Sequence, residues 1–333
     1  MAGLEAPWAG LLQHASRVDI HAVLVTLAKS PGAAGAEDWT AAGLPMDAAH
    51  DAITVASVPG DWIHVGHPDW PRLLEGLPFG PVALQVEGDV TRLAAPTVAL
   101  VGARRCTAWG KGWARRIAEA VAASGGVVVS GMAWGIDAEA HEAAGGATVA
   151  VLGQGLSAPM AAWATRLRAS IVKQGGLVVS EFPALMPASK ITFPIRNRVV
   201  AGLSRAVVVV EAAKRSGSRI TAGLGRDYGR EVLALPGPPE AEVSEGCLDL
   251  IEEGVTMVRS PRTVLAALGL DRPAVSPRTR EGRLLAVLGG GATPEEIAER
   301  TGLDLRALQE LLGELELRGL VRRAPGRRYL AVG

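Results

Sequence analysis

Seven valine-rich apolar runs, separated by stretches of helical character between residues 96 and 269, restrict this chain more than any other feature of its sequence. They are PTVALVG (96 to 102), GVVVSG (126 to 131), ATVAVLG (147 to 153), LVVSEF (177 to 182), RAVVVVEA (205 to 212), EVLALPG (231 to 237) and VTMVR (255 to 259). Apolar runs that do not alternate suit strands covered on both faces. Spacers of roughly 10 to 20 residues suit right-handed helical crossovers. The expected class is therefore α/β, with a doubly wound, mostly parallel sheet. In such sheets ligands gather at the carboxyl ends of the strands, where the strand order reverses. Most of these runs end there in glycine or short polar residues: VGARR, SGMAWG, LGQG, SEF and VEAAKRSGS.

The flanks read differently. Residues 1 to 92 are expected to form a small helical domain followed by the irregular lead-in HPDWPRLLEGLPFGPVALQVEGD, with the sheet domain over 93 to 270. DRPAVSPRT (271 to 279) is a proline-rich linker. Residues 280 to 333 carry two short helices separated by TGLD, a longer amphipathic helix and the hairpin VRRAPGRRYLAV, a winged helix-turn-helix pattern. Thr293, Pro294 and Glu296 form a helix start with the threonine as N-cap.

Charge is balanced, 34 basic against 34 acidic residues, which argues against nucleic-acid binding by bulk positive charge. Its distribution is uneven. Arg104, Arg105, Lys111, Arg115 and Arg116 fall between 102 and 118 with no acid among them. Between 187 and 230, nine basic residues face only Glu211 and Asp227, and 231 to 259 then holds seven acids and one base. Cys106 and Cys247 form neither a disulfide framework nor a zinc pattern, and no metal or cofactor is implied. The N-terminal MAGLEAPWAG lacks the features of a signal peptide, and no apolar window is long enough to span a membrane, so a cytoplasmic location is expected.

Several motifs admit two readings. VGARRCTAWGKGWARR joins a strand end to a helix N-terminus, which suits a phosphate chain held by Arg104 and Lys111, or is a tight turn on a solvated basic helix. Its spacing is wrong for a Walker loop. GQGLSAPM (153 to 160) matches GxGxxA, and Glu181 ends the next strand as a ribose-binding carboxylate would. A nucleotide- or dinucleotide-binding enzyme using Gly153 and Gly155 is thus the alternative function. Asp137 is placed to cap the helix carrying His141, which reads as a structural histidine. Trp109 and Trp134 sit in glycine-flanked loops at strand ends, as lids over the core or platforms for a planar ligand.

SKITFPIRNRVVAGLS (189 to 204) places Lys190 before a helix, Phe193 at its start, and Arg196 and Arg198 after it. Cations that track phosphates beside a ring that stacks on an unpaired base are what single-stranded nucleic acid requires. Phe193 packing into the core with the arginines snorkelling is the other reading, and the better one for Arg198. Ser216, Gly217, Ser218 and Thr221 open a further helix with hydroxyls and bare amides, or with plain N-capping.

Taken in order, VGARR, SGMAWGIDAEAH, GGATVAVLGQGLSAP, GGLVVSEFP, FPIRNRVVAGLS, VVVVEAAKRSGSRITA, LALPG and SEGCLDLIEEG resemble the DNA-processing protein A family, DprA or Smf, over about residues 60 to 258. The winged-helix tail fits its longer members. The resemblance implies a Rossmann-like sheet domain, a sterile-alpha-motif-like N-terminal domain, and no enzymatic activity. It also implies a homodimer through the sheet domain that binds single-stranded DNA, and double-stranded DNA more weakly, and loads RecA during natural transformation. Arg104, Lys190 and Phe193 fall where the family holds DNA, with Arg196, Asn197, Ser216, Gly217 and Ser218 on the shared rim. Arg105, Lys111, Gly131 and Trp134 are further candidates on that rim. Trp134 stands where the family is usually not aromatic, Leu248 and Asp249 where it more often has asparagine, and Gly225 where alanine is common. Asp304, Glu310, Glu314 and Glu316 on the last helix oppose groove entry, so a protein-contact or auxiliary DNA role is expected for the winged helix, with Arg322, Arg323, Arg327 and Arg328 available on its wing.

Overall fold

A computed structural model describes residues 61–81, 83–182, 184–271, 279–288, 291–317 and 320–331. Of the helical domain and lead-in expected over residues 1 to 92, the first 60 residues lie outside them. The chain divides into two units, Met1–Asp271 and Arg272–Gly333.

In the first unit all seven apolar runs are strands: β3 (Thr97–Val101), β4 (Val127–Ser130), β5 (Thr148–Val151), β6 (Leu177–Ser180), β7 (Ala206–Val209), β8 (Glu231–Ala234) and β9 (Thr256–Met257). They pair in parallel throughout. The lead-in does more than connect. β1 (Asp61–His64) and β2 (Ala83–Gly88) add an antiparallel edge, β2 pairing with β6, so the sheet starts well before residue 93 and has nine strands in the order β1-β2-β6-β5-β4-β3-β7-β8-β9.

Two-sided burial explains the unbroken valine runs. Val98 and Leu100 of β3 face a layer made by α1 (Ala108–Ala123), α2 (Ile136–Ala144) and α7 (Pro261–Ala267). Ala99 and Val101 face the opposite layer, made by α4 (Thr192–Gly202), α5 (Gly217–Asp227) and α6 (Glu242–Glu252). α3 (Ala162–Lys173) covers Ala150 and Val178. Each buried methylene contributes about 0.8 kcal/mol, so a strand that is apolar at every position is held from both sides. Gly225 has a packing reason: a Cβ there would come 2.8 Å from Val207 Cγ2. Asp249 accepts an ion pair from Arg219 of α5 at 2.5 Å, which ties α6 to α5. Cys106 and Cys247 are free thiols.

β3 is the pivot of the sheet. The chain leaves it toward β4, β5 and β6, then returns to its other side as β7, β8 and β9. The loops after β3 and β7 therefore diverge, and a crevice opens at their carboxyl ends.

The second unit is a winged helix around Leu284, Leu288, Ile297, Leu308 and Leu312. Its helices are α8 (Arg280–Val287), α9 (Pro294–Thr301) and α10 (Leu305–Leu317), and its wing is β10 (Val321–Ala324) paired with β11 (Arg328–Ala331). TGLD lies between α9 and the long helix rather than between the two short ones. Gly302 adopts the left-handed cap that this turn needs. The Thr293–Glu296 capping box forms with both reciprocal bonds. Asp304 caps α10 through the amides of Arg306 and Ala307. Two of the wing arginines are engaged within the unit, Arg323 with Glu316 at 3.2 Å and Arg328 with Glu296 at 3.4 Å. No helix among the described residues is long and apolar enough to cross a membrane.

Candidate nucleic-acid interface

The crevice beside β3 holds a cleft of about 330 Å³, lined by the loops after β3, β4 and β7 and by the first turns of α4 and α5. It gathers Arg104, Gly131, Phe193, Arg196, Asn197, Ser216, Gly217 and Ser218, eight of the twelve residues singled out from sequence. Arg105, Lys111, Trp134 and Lys190 do not line it.

The N-termini of α1 and α5 both approach this rim, and they differ in what an anion could reach. The start of α1 is closed by the strand-end carboxylate Glu211. Its oxygens accept from the Thr107 amide at 2.8 Å and the Thr107 hydroxyl at 2.5 Å, while Thr107 Oγ1 caps Gly110 N–H at 3.1 Å. Gly110 is glycine because a Cβ would strike the Glu211 carboxylate. Lys111 turns to the outer face and pairs with Glu139 at 2.9 Å, which raises its affinity for its proton. The phosphate-chain reading of VGARRCTAWGKG therefore fails at Lys111 and at the helix amides; of its cations only Arg104 lines the cleft. Arg105 is exposed in the loop outside the lining.

The start of α5 is different. Ser216 is its N-cap yet makes no capping bond, its hydroxyl pairing instead with that of Ser218. No acid stands in the first turn. A Cβ on Gly217 would project into open space. Small side chains thus leave backbone N–H groups and the positive helix end facing the cleft, an arrangement that favours a phosphate. Asn197 fixes this turn from α4, donating from Nδ2 to the Gly217 carbonyl at 3.4 Å.

Phe193 is half-buried at the second position of α4. It rests on Gly153, where a Cβ would lie 2.9 Å from the ring, and the Arg104 guanidinium sits 5.0 Å from the ring centroid. The glycine of GQGLSAP is thus a bed for an aromatic ring. Three amides of that loop are taken, Gly155 N–H by the Met186 carbonyl at 2.9 Å, Ser157 N–H by that of Ala184 at 2.7 Å and Ala158 N–H by that of Gly155 at 3.1 Å. Glu181 is buried against Arg198 in an ion pair rather than turned to a ribose. The dinucleotide reading loses both of its supports.

Arg196 is not a groove cation. It is 4% exposed and donates to the carbonyls of Gly131 and Val151, the ends of β4 and β5. Gly131 admits it because a Cβ would lie 2.6 Å from its Cζ. Asp137, also buried, accepts from Gly131 N–H at 3.0 Å and Ala133 N–H at 3.4 Å, so it ties down this loop, and Gly135 occupies the N-cap of α2. Burial lowers the Arg196 guanidinium to about 10, with the field of Asp137 opposing the shift. Arg196 therefore supports the cleft floor from below.

Lys190 is exposed on the segment before α4 and has no ion-pair partner among the described residues. Trp109 belongs to the first turn of α1, not to a loop, and leans on Trp113 with centroids 6.0 Å apart. Trp134 is exposed beside the cleft. Sequence reasoning missed Glu211 as the lock on α1. An acid that ends a buried strand and sits in a basic segment was the available signal.

His141 is structural. Its Nδ1 donates to Thr148 Oγ1 at 2.7 Å, since that hydroxyl gives its own proton to the Val128 carbonyl at 2.9 Å. Burial, with repulsion from Arg196, drops its pKa from 6.5 to about 3. The unfolded chain therefore binds the extra proton first, and stability contributed by the neutral ring is present above pH 6.5 and lost as pH falls toward 3. Between pH 7 and 5 the wild type should lose up to about 2 kcal/mol more than His141→Asn, read from urea unfolding at both pH values. Parallel losses would show that the ring is protonated in the fold.

The sequence profile of the DNA recombination-mediator protein A family matches residues 61–293, and that of the DprA winged helix domain residues 269–327. The chain belongs to this family. Protein Smf of Escherichia coli is 41% identical over 274 residues, spanning 77% of this chain and 73% of that protein. DNA processing protein DprA of Streptococcus pneumoniae is 41% identical over 189 residues, 56% of this chain and 66% of its own. The crystal structure of the Streptococcus pneumoniae DprA superposes with a TM-score of 0.65 at 32% identity, covering 77% of this chain and 95% of that one. DNA processing protein A from Helicobacter pylori, described for its mode of binding single-stranded DNA, matches with a TM-score of 0.58 at 28% identity over 64% of this chain and 98% of that one. The nine-stranded sheet and the winged helix are thus the DprA architecture.

Proposed function

We propose that this chain is a cytoplasmic recombination mediator that binds single-stranded DNA in the cleft at the switch point of its sheet and presents it to RecA. The observation that carries the reading is the Arg104–Phe193 stack beside the open N-terminus of α5: a cation over an aromatic ring, next to a helix whose first turn carries no acid. One backbone phosphate fits the α5 amides and Arg104 holds a second, while an unpaired base stacks in the layer formed by Arg104 and Phe193. A duplex keeps its bases stacked and offers no such ring face, so double strands bind more weakly. Lys190, exposed before α4, extends the positive track.

The chain acts by binding rather than by catalysis in this reading, since His141, the one histidine weighed as a base, is buried on Thr148. It dimerises through the sheet unit, for which the two-residue edge strand β9 with its exposed Met257 offers a margin. The winged helix is an auxiliary protein-contact module, because the exposed Glu310 and Glu314 of α10 repel phosphate.

The test is a titration of labelled oligothymidylate and of a duplex of equal length at two salt concentrations. Single strands should bind tighter, with a log–log salt slope of about 0.7 per phosphate neutralised. Phe193→Ala should weaken binding about 5- to 150-fold, the range for one stacked base, with the slope nearly kept. Lys190→Ala should flatten the slope by less than about one unit. Unchanged affinity in both variants would reject the site.

A further inference from the structure

The cleft leaves Trp134 unexplained. Gly131 and Ala133 line the cleft, and the next side chain but one after Met132 is an indole left 57% exposed. The loop that presents it is fastened in an unfavourable shape. Met132 has φ 54, in the left-handed region that a long side chain rarely adopts, and Gly135 has φ 94. Such outliers persist only where the surroundings over-determine them, and they concentrate at binding sites. Here the fastening is visible. The Met132 side chain is buried with Leu152 and Leu156, and Asp137 accepts from the Gly131 and Ala133 amides. Gly135 lies so close to the Arg104 loop that a Cβ would come 2.6 Å from the Arg104 carbonyl, and Ile136 N–H donates to the Ala103 carbonyl at 3.3 Å. The tryptophan is therefore clamped, through backbone, to the loop that carries the Arg104 cation.

Its ring is braced as well. Trp163, the second residue of α3, meets it in a T-shaped contact, centroids 5.1 Å apart and planes at 82°. Arg166 follows three residues later, on the same side of the helix, and is exposed. A restrained indole whose brace shares a helix face with a cation, and whose loop also lines the cleft that offers Arg104 and Phe193, can repeat the chemistry of that cleft one step along the rim.

We propose that Trp134, braced by Trp163, is a second base-stacking platform that carries the single strand beyond the Arg104–Phe193 layer toward α3, where Arg166 meets the backbone. This rests on the single-strand reading above. The bound segment is then longer than the cleft alone would hold, and affinity depends on oligonucleotide length in two steps.

The experiment is fluorescence anisotropy of full-length protein with labelled oligothymidylates of increasing length, spanning about 4 to 16 nucleotides. Trp134→Ala should weaken binding of the longer oligomers about 5- to 150-fold, leave the shortest bound oligomer unaffected, and keep the salt slope. Trp134→Phe should recover most of the loss. Arg104→Ala is the control for the underlying site. If Arg104→Ala weakens binding while Trp134→Ala changes nothing at any length, the second platform is overturned and the cleft stands. If Trp134→Ala weakens all lengths equally, or alters the slope, the loop merely shapes the cleft, and the platform is again overturned. If Arg104→Ala has no effect, the single-strand site itself fails.

Discussion

Arg196→Met is expected to lower the unfolding free energy by about 3 to 5 kcal/mol, the largest effect of any single substitution at the site. The guanidinium bridges the carbonyl ends of β4 and β5 and is the charge that faces buried Asp137. Removing it leaves two strand-end carbonyls without this donor and a carboxyl whose ionised form burial already disfavours. Methionine fills most of the volume, so the loss reports charge and hydrogen bonds rather than a cavity. Arg196→Lys should lie between, because one guanidinium nitrogen, Nη1, donates to both carbonyls, and an ammonium keeps the charge but on a stem of different length and shape. Urea unfolding followed by tryptophan fluorescence and near-ultraviolet circular dichroism decides the point. A loss below about 1 kcal/mol would mean that the floor of the cleft does not depend on this residue.

Arg104→Glu should reduce single-strand affinity by at least about tenfold and up to about 150-fold at low salt, the span of one charge-assisted hydrogen bond. Two losses combine. The phosphate contact goes, which should lower the log–log salt slope by about 0.7. The cation over Phe193 goes too, so the ring is no longer covered by its 5.0 Å partner and a negative charge now faces incoming phosphate. Arg104→Lys separates these effects: the slope should persist while affinity falls, since a flexible ammonium does not stack on the ring as a guanidinium does. Stability should barely move, because Arg104 is exposed. An affinity within twofold of wild type for Arg104→Glu would remove this residue from the interface.

How far the site could be read ahead of the fold differs residue by residue. Phe193 and Arg104 were both placed on the strand-end rim from sequence, and the structure does bring them together across 89 positions of sequence. Arg196 was placed on the rim from sequence and Arg198 read as packed inward; the structure buries both, Arg196 tying strand ends and Arg198 pairing with Glu181. Neither is free for a ligand. Lys111 misled as well: its sequence neighbours are all basic, while its partner Glu139 comes from α2. A basic run in sequence does not say which acids the fold lays against it.

The glycines repeat the lesson. Gly153 and Gly110 each stand in a motif that resembles a phosphate loop, but Gly153 makes room for the Phe193 ring and Gly110 for the Glu211 carboxylate. What glycine supplies is the absence of a Cβ. The atom that takes the space belongs to a distant element and is invisible to spacing.

The order of apolar runs and spacers was enough to determine the parallel core of the sheet, because burial on two faces leaves its mark on every strand residue, and the pattern after the linker was enough for the winged helix; the pivot at β3 was settled only by strand pairing. The sequence alone could not show that the lead-in closes the sheet as β1 and β2, nor which helix end stays open. Those outcomes depend on partners far apart in the chain: Glu211 reaching Thr107 closes α1, and Ser216 pairing with Ser218 leaves α5 uncapped. Local patterning follows from what each residue must hide, whereas the cleft follows from which charges meet, and that is settled only when the strands are side by side.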